Sequence, residues 1–124
     1  MRLLLDANAL LWWRDASSRL SSRAHEEISD GRNEIVISIA TLWEIAIKRG
    51  LGKLKFDDDF EQVIREEDFA LLPILLAHLR AFEALPLHHR DPFDRLLIAQ
   101  ALAEGIPIAT GDRVFAAYGV QVVW

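Results

Sequence analysis

Short apolar runs along the chain predict the strands of this protein. RLLL at Arg2–Leu5 and the β-branched EIVIS at Glu34–Ser38 have the length and composition of buried strands. Shorter runs predict three more strands, at Ala70–Leu72, Ile108–Ala109 and Val120–Val123. These runs are the candidate strands of one sheet.

The segments between the runs predict helices. The predicted helices are Ala7–Trp13, Ser22–Asp30, Ile39–Arg49, Asp58–Glu67, Ile74–Ala84 and Pro92–Glu104, with one or two helical turns at Asp112–Ala117. Gly31, Gly50 and Gly105 follow three of these helices, where a glycine commonly ends a helix.

Strands that alternate with helices predict an α/β fold, in which a parallel sheet carries helices on both faces. The 124 residues contain no internal repeat and no long linker, so residues 1–124 are expected to form a single domain. Ligands in such folds bind beyond the carboxyl ends of the strands. The residues that follow each strand are therefore the ones to inspect for function.

Composition narrows the possible classes of protein. There is no cysteine, which excludes disulfides and thiolate metal sites and fits a cytoplasmic protein. No apolar run approaches the roughly 20 residues that span a bilayer, and the N-terminal stretch lacks the cleavage site of a signal peptide. The net charge of −5 argues against a protein that coats nucleic acid, but it allows an enzyme whose acids are concentrated in one pocket.

The segment HHRDPFDRLLIAQAL, residues 88 to 102, allows two interpretations. In the first, Asp91 is the N-cap of a helix, Pro92 is its first residue and Asp94 is the acid of a capping box. In the second, Asp94 is a carboxylate that binds a metal ion. This stretch alone favours the first interpretation.

Other acids also follow predicted strands. Asp6 comes directly after RLLL, and Asp112 comes shortly after Ile108–Ala109. Each could simply cap the helix that follows it, because aspartate is a common N-cap. The two roles are compatible, since a capping carboxylate has a second oxygen that can bind a cation.

Glu44 lies within the helix that follows EIVIS. One alternative for it is an ion pair with Lys48, one turn later. A helical wheel places Ile39, Leu42, Trp43 and Ala46 on one apolar face, and that face is predicted to contact the core. Glu44 is then expected at the boundary of this face, a position that suits a residue facing a cleft.

Helices after different parallel strands begin at the same edge of the sheet, so these carboxylates are expected to converge. Two carboxylates about 4 Å apart repel by roughly 4 kcal/mol at an effective dielectric constant of 20. Such a group either raises the pKa of some members or requires a cation. Oxygen ligands favour Mg²⁺ or Mn²⁺, and the corresponding reaction is phosphodiester hydrolysis.

Four segments together resemble the PIN-domain nucleases, and more closely the VapC-type ribonuclease toxins of bacterial toxin–antitoxin pairs. They are LLLDANALLW, TLWEIAIKRG, DPFDRLLIAQAL and IPIATGDRVF, and the resemblance extends from residue 2 to about residue 118. It implies a three-layer α/β/α PIN-like domain around a mainly parallel sheet of four or five strands. It also implies an RNA substrate, one or two Mg²⁺ or Mn²⁺ ions, and a cognate antitoxin that covers the cleft. The assembly would be a homodimer or a toxin–antitoxin hetero-oligomer, away from membranes.

The resemblance also implies roles for particular residues. The metal-binding and catalytic acids would be Asp6, Glu44, Asp94 and Asp112, supported by Asn8 and Thr110. Asp91 lies just outside the family's third acidic position and is interpreted mainly as an N-cap. In the hypothetical mechanism Glu44 orients or deprotonates the attacking water, and in-line attack leaves a 5′-phosphate and a 3′-hydroxyl.

An acidic pocket repels RNA, so basic residues are expected around it. The predicted RNA contacts are Lys48, Arg49, Arg90, Arg95 and Arg113, although any one of them could be an ordinary solvated residue. His88 and His89 lack the spacing of metal ligands and are expected to be exposed loop residues. The four tryptophans are expected mainly in the core, but the adjacent Trp12 and Trp13 are not expected to face the same side of their short helix.

Two other functions are compatible with this architecture. A phosphoacceptor receiver-like domain would need paired acids after the first strand and a lysine near the last one. Here Asp6 stands alone and no lysine follows Lys55, which disfavours it. The second alternative is a non-catalytic binding module on the same fold, but the complete set of acids favours catalysis.

Overall fold

The computed structural model describes all 124 residues and contains one five-stranded sheet. Its strands are β1 (Arg2–Leu5), β2 (Glu34–Ser38), β3 (Ala70–Leu72), β4 (Ile108–Ala109) and β5 (Val122–Val123). Every neighbouring pair is parallel, in the order β3-β2-β1-β4-β5. The predicted α/β sheet is confirmed and is entirely parallel, although β5 begins two residues later than predicted.

Six α-helices and one 3-10 helix connect the strands. They are α1 (Ala7–Arg14), α2 (Ser22–Ser29), α3 (Ile39–Gly50), α4 (Phe60–Glu67), α5 (Leu76–Glu83), α6 (Pro92–Glu104) and the 3-10 helix η1 (Arg113–Tyr118). Gly105 ends α6 with a φ of 66°, as expected of a C-terminal glycine. Gly50 was predicted to lie beyond α3 but is its last residue, and the positive φ of 71° falls at Gly52. None of the helices has both the length and the apolar character that a membrane crossing requires.

The sheet separates two hydrophobic cores, because successive residues of a strand face opposite sides. Leu3 and Leu5 of β1 belong to the core that also contains residues of α1, α2 and α4. Leu4 belongs to the other core, with residues of α6 and η1. This arrangement is the predicted three-layer α/β/α architecture.

The predicted core face of α3 is wrong except at Leu42, which is buried. Trp43 is 54% exposed and Ile39 39% exposed, whereas Glu44 is only 7% exposed. The buried stripe is centred on Thr41 and Ile45, because α3 packs against α1 and α6. Polar residues occupy the middle of the buried stripe. A helical wheel based on hydrophobicity alone therefore predicted that the opposite face of α3 contacts the core. Trp43 was expected in the core, and this expectation was therefore also wrong. The other three tryptophans, Trp12, Trp13 and Trp124, are partly buried.

The strand order creates a crevice at one edge of the sheet. The chain runs outward from β1 through β2 to β3, and then returns to the other side of β1 with β4 and β5. Connections therefore leave β1 and β4 in opposite directions, which leaves a gap beyond their carboxyl ends. Asp6 follows β1 and Asp112 lies near the end of β4, so the topology places both at this gap.

Candidate metal centre

A cleft of about 610 Å³ opens at this crevice. The acids that line it are Asp6, Glu44, Asp91, Asp94 and Asp112. The structure thus brings together the four acids that the sequence selected, from β1, α3, α6 and the end of β4, and adds Asp91. Asn8 also lines the cleft.

Asp6 caps α1 and is buried at the base of the cleft. Its Oδ1 accepts a hydrogen bond of 2.8 Å from the Ala9 backbone N–H. Burial raises the pKa of the Asp6 carboxyl, and hydrogen bonds from the Thr110 side chain and Ala9 only partly oppose this. The charges of Glu44 and Asp112 raise the pKa further, so the neighbouring carboxylates are close enough to repel one another.

One carboxylate oxygen of Asp112 caps a helix, and the other faces the cleft. Its Oδ1 accepts a 3.0 Å hydrogen bond from the Val114 N–H and caps η1. Its Oδ2 lies 2.8 Å from His89 Nε2. Thr110 fixes the turn by accepting the Asp112 N–H at its hydroxyl, at 3.1 Å. Thr110 therefore supports both Asp6 and Asp112.

The beginning of α6 excludes the capping-box interpretation of Asp94. Asp91 is the N-cap, since its Oδ1 accepts from the N–H groups of Phe93 at 2.8 Å and Asp94 at 3.0 Å. A capping box would require the Asp94 side chain to accept the Asp91 N–H. That N–H donates instead to His89 Nδ1 at 3.0 Å. The Asp94 carboxylate is consequently free to face the cleft.

Asp94 is also under electrostatic strain. Burial raises its pKa to about 7, and repulsion from Asp91, Glu44 and Asp6 adds to the rise, while His89 opposes it. A divalent cation would remove this repulsion.

Glu44 contains a buried oxygen without a partner. Its Oε2 accepts a 2.7 Å hydrogen bond from Lys48 Nζ, which raises the pKa of Lys48. Its Oε1 is buried and makes no hydrogen bond. Buried polar atoms are usually paired, because desolvation without a partner destabilises the fold. An unpaired carboxylate oxygen among other carboxylates is what a site for a hard cation would contain, so the donor set fits Mg²⁺ or Mn²⁺.

The expectation for His89 was wrong. It is not an exposed loop residue, because its side chain is only 16% exposed and its Nε2 lies between Asp94 and Asp112. His88 is exposed, as expected. Ligand-type spacing could not reveal His89, but its position two residues before the Asp91 N-cap places it at the same edge of the sheet as the acids.

The predicted RNA-contacting residues divide into two groups. Arg49 donates to main-chain carbonyls in the segment 56–58, and Arg95 donates to the Pro86 carbonyl and the Tyr118 hydroxyl. These two arginines are engaged within the fold, and neither lines the cleft.

The second group lies at the cleft or beside it, and within it Lys48 is also paired with Glu44. Lys48 lines the cleft, and Arg90 and Arg113 are exposed near its acids. Arg19 also lines the cleft and was missed, since it lies in a loop that is separated in sequence from all of the cleft acids.

Two tryptophans form an aromatic wall beside the acids. The rings of Trp12 and Trp124 lie 5.9 Å apart and both line the cleft. Trp124 also covers Gly111, where an added Cβ would lie 3.0 Å from the indole ring. The glycine next to Asp112 therefore allows the indole to pack closely.

Comparisons with known proteins agree on the fold. The family model described as PIN domain matches residues 3–121. No curated protein matches the sequence. The solved structure of VapBC2 from Rickettsia felis, bound to a DNA fragment from its promoter, aligns with a TM-score of 0.68 and 18% identity, covering 98% of this chain and 97% of that one. FitAcB from Neisseria gonorrhoeae aligns with a TM-score of 0.68 and 19% identity, covering 98% and 96%. PAE2754 from Pyrobaculum aerophilum aligns with a TM-score of 0.56 and 18% identity, covering 99% of this chain and 84% of that one.

Proposed function

Because the chain belongs to the PIN domain family, we propose that it is a divalent-metal-dependent endoribonuclease and the toxin of a toxin–antitoxin pair. The observation that carries the proposal is the convergence of four carboxylates around an unpaired, buried glutamate oxygen. Neither a helix cap nor an ion pair accounts for that oxygen. A cation in the cleft would.

Asp6, Glu44, Asp94 and Asp112 would hold Mg²⁺ or Mn²⁺ in this function. The ion, when bound, polarises a phosphoryl oxygen and helps to generate a hydroxide nucleophile. Glu44 orients the attacking water and accepts its proton, and Lys48 fixes the carboxylate that does so through its 2.7 Å contact. In-line attack then leaves a 5′-phosphate and a 3′-hydroxyl.

RNA would reach the acidic centre through the basic residues around it. Lys48 and Arg19 lie in the cleft, and Arg90 and Arg113 are exposed beside it. Phosphate contacts of this kind position a strand without reading its sequence. Asn8 would add a polar contact at the metal site.

An antitoxin, and a second toxin subunit, would bind the apolar surface of the protein. A depression of about 210 Å³ is lined by Trp43, Leu79, Phe82, Pro92, Phe93 and Leu96. Exposed apolar patches of this type commonly mark protein interfaces. The proposed assembly is a cytoplasmic homodimer or toxin–antitoxin hetero-oligomer, and chains in the VapBC2 and FitAcB structures share this fold.

The test is cleavage of structured and single-stranded RNA by the purified, partner-free protein, with Mg²⁺, with Mn²⁺ and with EDTA. We expect metal-dependent cleavage that Asp94→Asn reduces by at least about 100-fold, an effect typical of losing an electrostatic stabiliser. Asp59→Asn is the matched control, since Asp59 caps α4 away from the cleft.

Two results would contradict the proposal. Full cleavage by the Asp94→Asn variant would remove Asp94 from the site. Metal binding without cleavage of any RNA would favour the alternative, a non-catalytic binding module on the same fold.

A further inference from the structure

The imidazole of His89 lies between two of the candidate metal ligands. Its Nε2 is 2.8 Å from Asp112 Oδ2, within hydrogen-bonding distance, and 3.1 Å from Asp94 Oδ2. These atoms lie within 4.8 Å of one another, the spacing of ligands around a cation. Proximity alone would allow His89 to be either a ligand or a hydrogen-bond donor to the two acids.

The other ring nitrogen distinguishes these roles. His89 Nδ1 lies 3.0 Å from the Asp91 backbone nitrogen, which can only donate. Nδ1 must therefore have a free lone pair, and in the neutral ring the proton is then on Nε2. A protonated Nε2 has no lone pair for a metal ion. His89 in this arrangement donates to Asp112 and directs the positive end of the same N–H towards Asp94.

The loop that contains His89 is held in place independently of the metal centre. The Tyr118 hydroxyl accepts the backbone N–H groups of His88 at 2.9 Å and His89 at 2.7 Å. The His89 ring packs edge-on against Phe115, with centroids 5.9 Å apart. The backbone, the ring plane and Nδ1 are each fixed, so Nε2–H points at the carboxylates without support from a cation.

We propose that His89 is a positioning residue that uses Nε2–H to hold Asp94 and Asp112 at ligand spacing, while the Asp91 N–H fixes its tautomer. The inference rests on the proposed function in taking the two acids as metal ligands. Asp91 then has two roles, because its side chain caps α6 and its backbone orients the histidine. The hydrogen bond offsets the repulsion between carboxylates that would otherwise separate before a cation binds.

Metal affinity of the partner-free protein gives the first test, measured as Mn²⁺ binding by electron paramagnetic resonance. Loss of a hydrogen bond that orients ligands typically weakens metal binding roughly 10- to 100-fold, so we expect that loss in His89→Ala. His89→Gln, which keeps an N–H donor, should restore most of the affinity. His88→Ala is the control, because His88 is an exposed residue of the same loop whose ring packs against Tyr118 and not against the acids. Binding of Mn²⁺ by His89→Ala as tight as by the wild type would overturn the proposal.

The tautomer gives the second test, and it needs no variant. Long-range ¹H–¹⁵N spectra of the wild-type protein identify which ring nitrogen carries the proton, first without metal and then with Mg²⁺. We expect the proton on Nε2 in both spectra. Its loss from Nε2 on addition of Mg²⁺ would make His89 a ligand and overturn the proposal.

The two tests separate this inference from the proposed function. A wild-type protein that binds Mn²⁺ and cleaves RNA, with an unaffected His89→Ala variant, would refute the role of His89 alone. A wild-type protein that binds no Mn²⁺ would refute both the proposed function and the role of His89 as a positioning residue, even if the proton lies on Nε2.

Discussion

At the scale of single residues, three aspartates that line the cleft also cap helices. Asp6, Asp91 and Asp112 each cap a helix with Oδ1. Capping with one oxygen leaves the second oxygen of each carboxylate for a cation, as the sequence analysis allows for Asp6 and Asp112. Asp94 is the exception, since its carboxylate caps nothing and its pKa is raised to about 7.

The raised pKa of Asp94 predicts a pH-dependent stability in EDTA. The folded protein retains a proton on this group up to about pH 7, whereas the unfolded chain releases it near 3.8. The stabilisation that this bound proton gives the folded state is therefore complete below pH 3.8 and is lost as pH rises to about 7. The free energy of unfolding should fall over that window. Denaturant unfolding across pH measures it, and Asp94→Asn should flatten the decline. An equal decline in both proteins would contradict the assignment.

The close packing of Trp124 on Gly111 predicts that a larger residue at position 111 destabilises the fold. The Cβ of Gly111→Ala would lie 3.0 Å from the Trp124 ring, so the indole must shift. We expect a loss of about 1 kcal/mol in the free energy of unfolding, typical of mild overpacking. The loss should disappear in a Trp124→Ala background, and a double-mutant cycle by chemical denaturation tests this. Strictly additive effects would locate the strain elsewhere.

At the scale of elements, the sequence predicts most helices and strands but not which way they face. Apolar runs and caps identify β1, β2 and α6 with their boundaries, because those signals are local. The buried face of α3 depends on the helices that pack against it, and the cleft-facing Glu44 replaces an apolar residue there. His89 was missed for the same reason, since its partners at Asp94 and Asp112 are defined only by the folded chain.

The Glu44–Lys48 pair on α3 predicts a stability change that a metal ion should suppress. Lys48→Met leaves a buried carboxylate with neither oxygen paired within the protein. An unsatisfied group of this kind destabilises by roughly 1–3 kcal/mol, and the exposure of Lys48 favours the lower end. Thermal unfolding in EDTA should show the loss, and saturating Mn²⁺ should reduce it. Glu44→Gln/Lys48→Met should recover stability in EDTA; a double variant no more stable than Lys48→Met would argue against the pair.

At the scale of the whole molecule, the strand order places the site. The order β3-β2-β1-β4-β5 brings the carboxyl ends of β1 and β4 side by side, and the acids follow from that geometry. Alternation of strands and helices predicts the layers and the parallel sheet. The position of the acids along the chain predicts that they converge, but the distances within the cluster come only from the packed structure.

Cation binding should stabilise the entire fold. A cation at a concentration 100 times its dissociation constant raises the free energy of unfolding by about 2.7 kcal/mol. For a domain of this size, that corresponds to a rise in Tm on the order of ten degrees. Calorimetry with EDTA and with Mn²⁺ measures the shift. We expect the wild type and Asp59→Asn to show it fully and Asp94→Asn to lose most of it. Equal shifts in all three proteins would indicate that the cation binds outside the cleft.

The pairing of β1 with β4 also determines when activity can arise during synthesis. Leu4 pairs with Ile108 and Leu5 with Ala109, so the two strands beside the cleft are about 100 residues apart in the sequence. A ribosome-bound chain that has emerged only as far as α5 contains Asp6 and Glu44, but neither Asp94 nor Asp112. Contacts this distant in sequence form late in folding. Under the proposed function, a partly synthesised chain would therefore be inactive, and cleavage would begin only once Asp112 and its neighbours have left the ribosome.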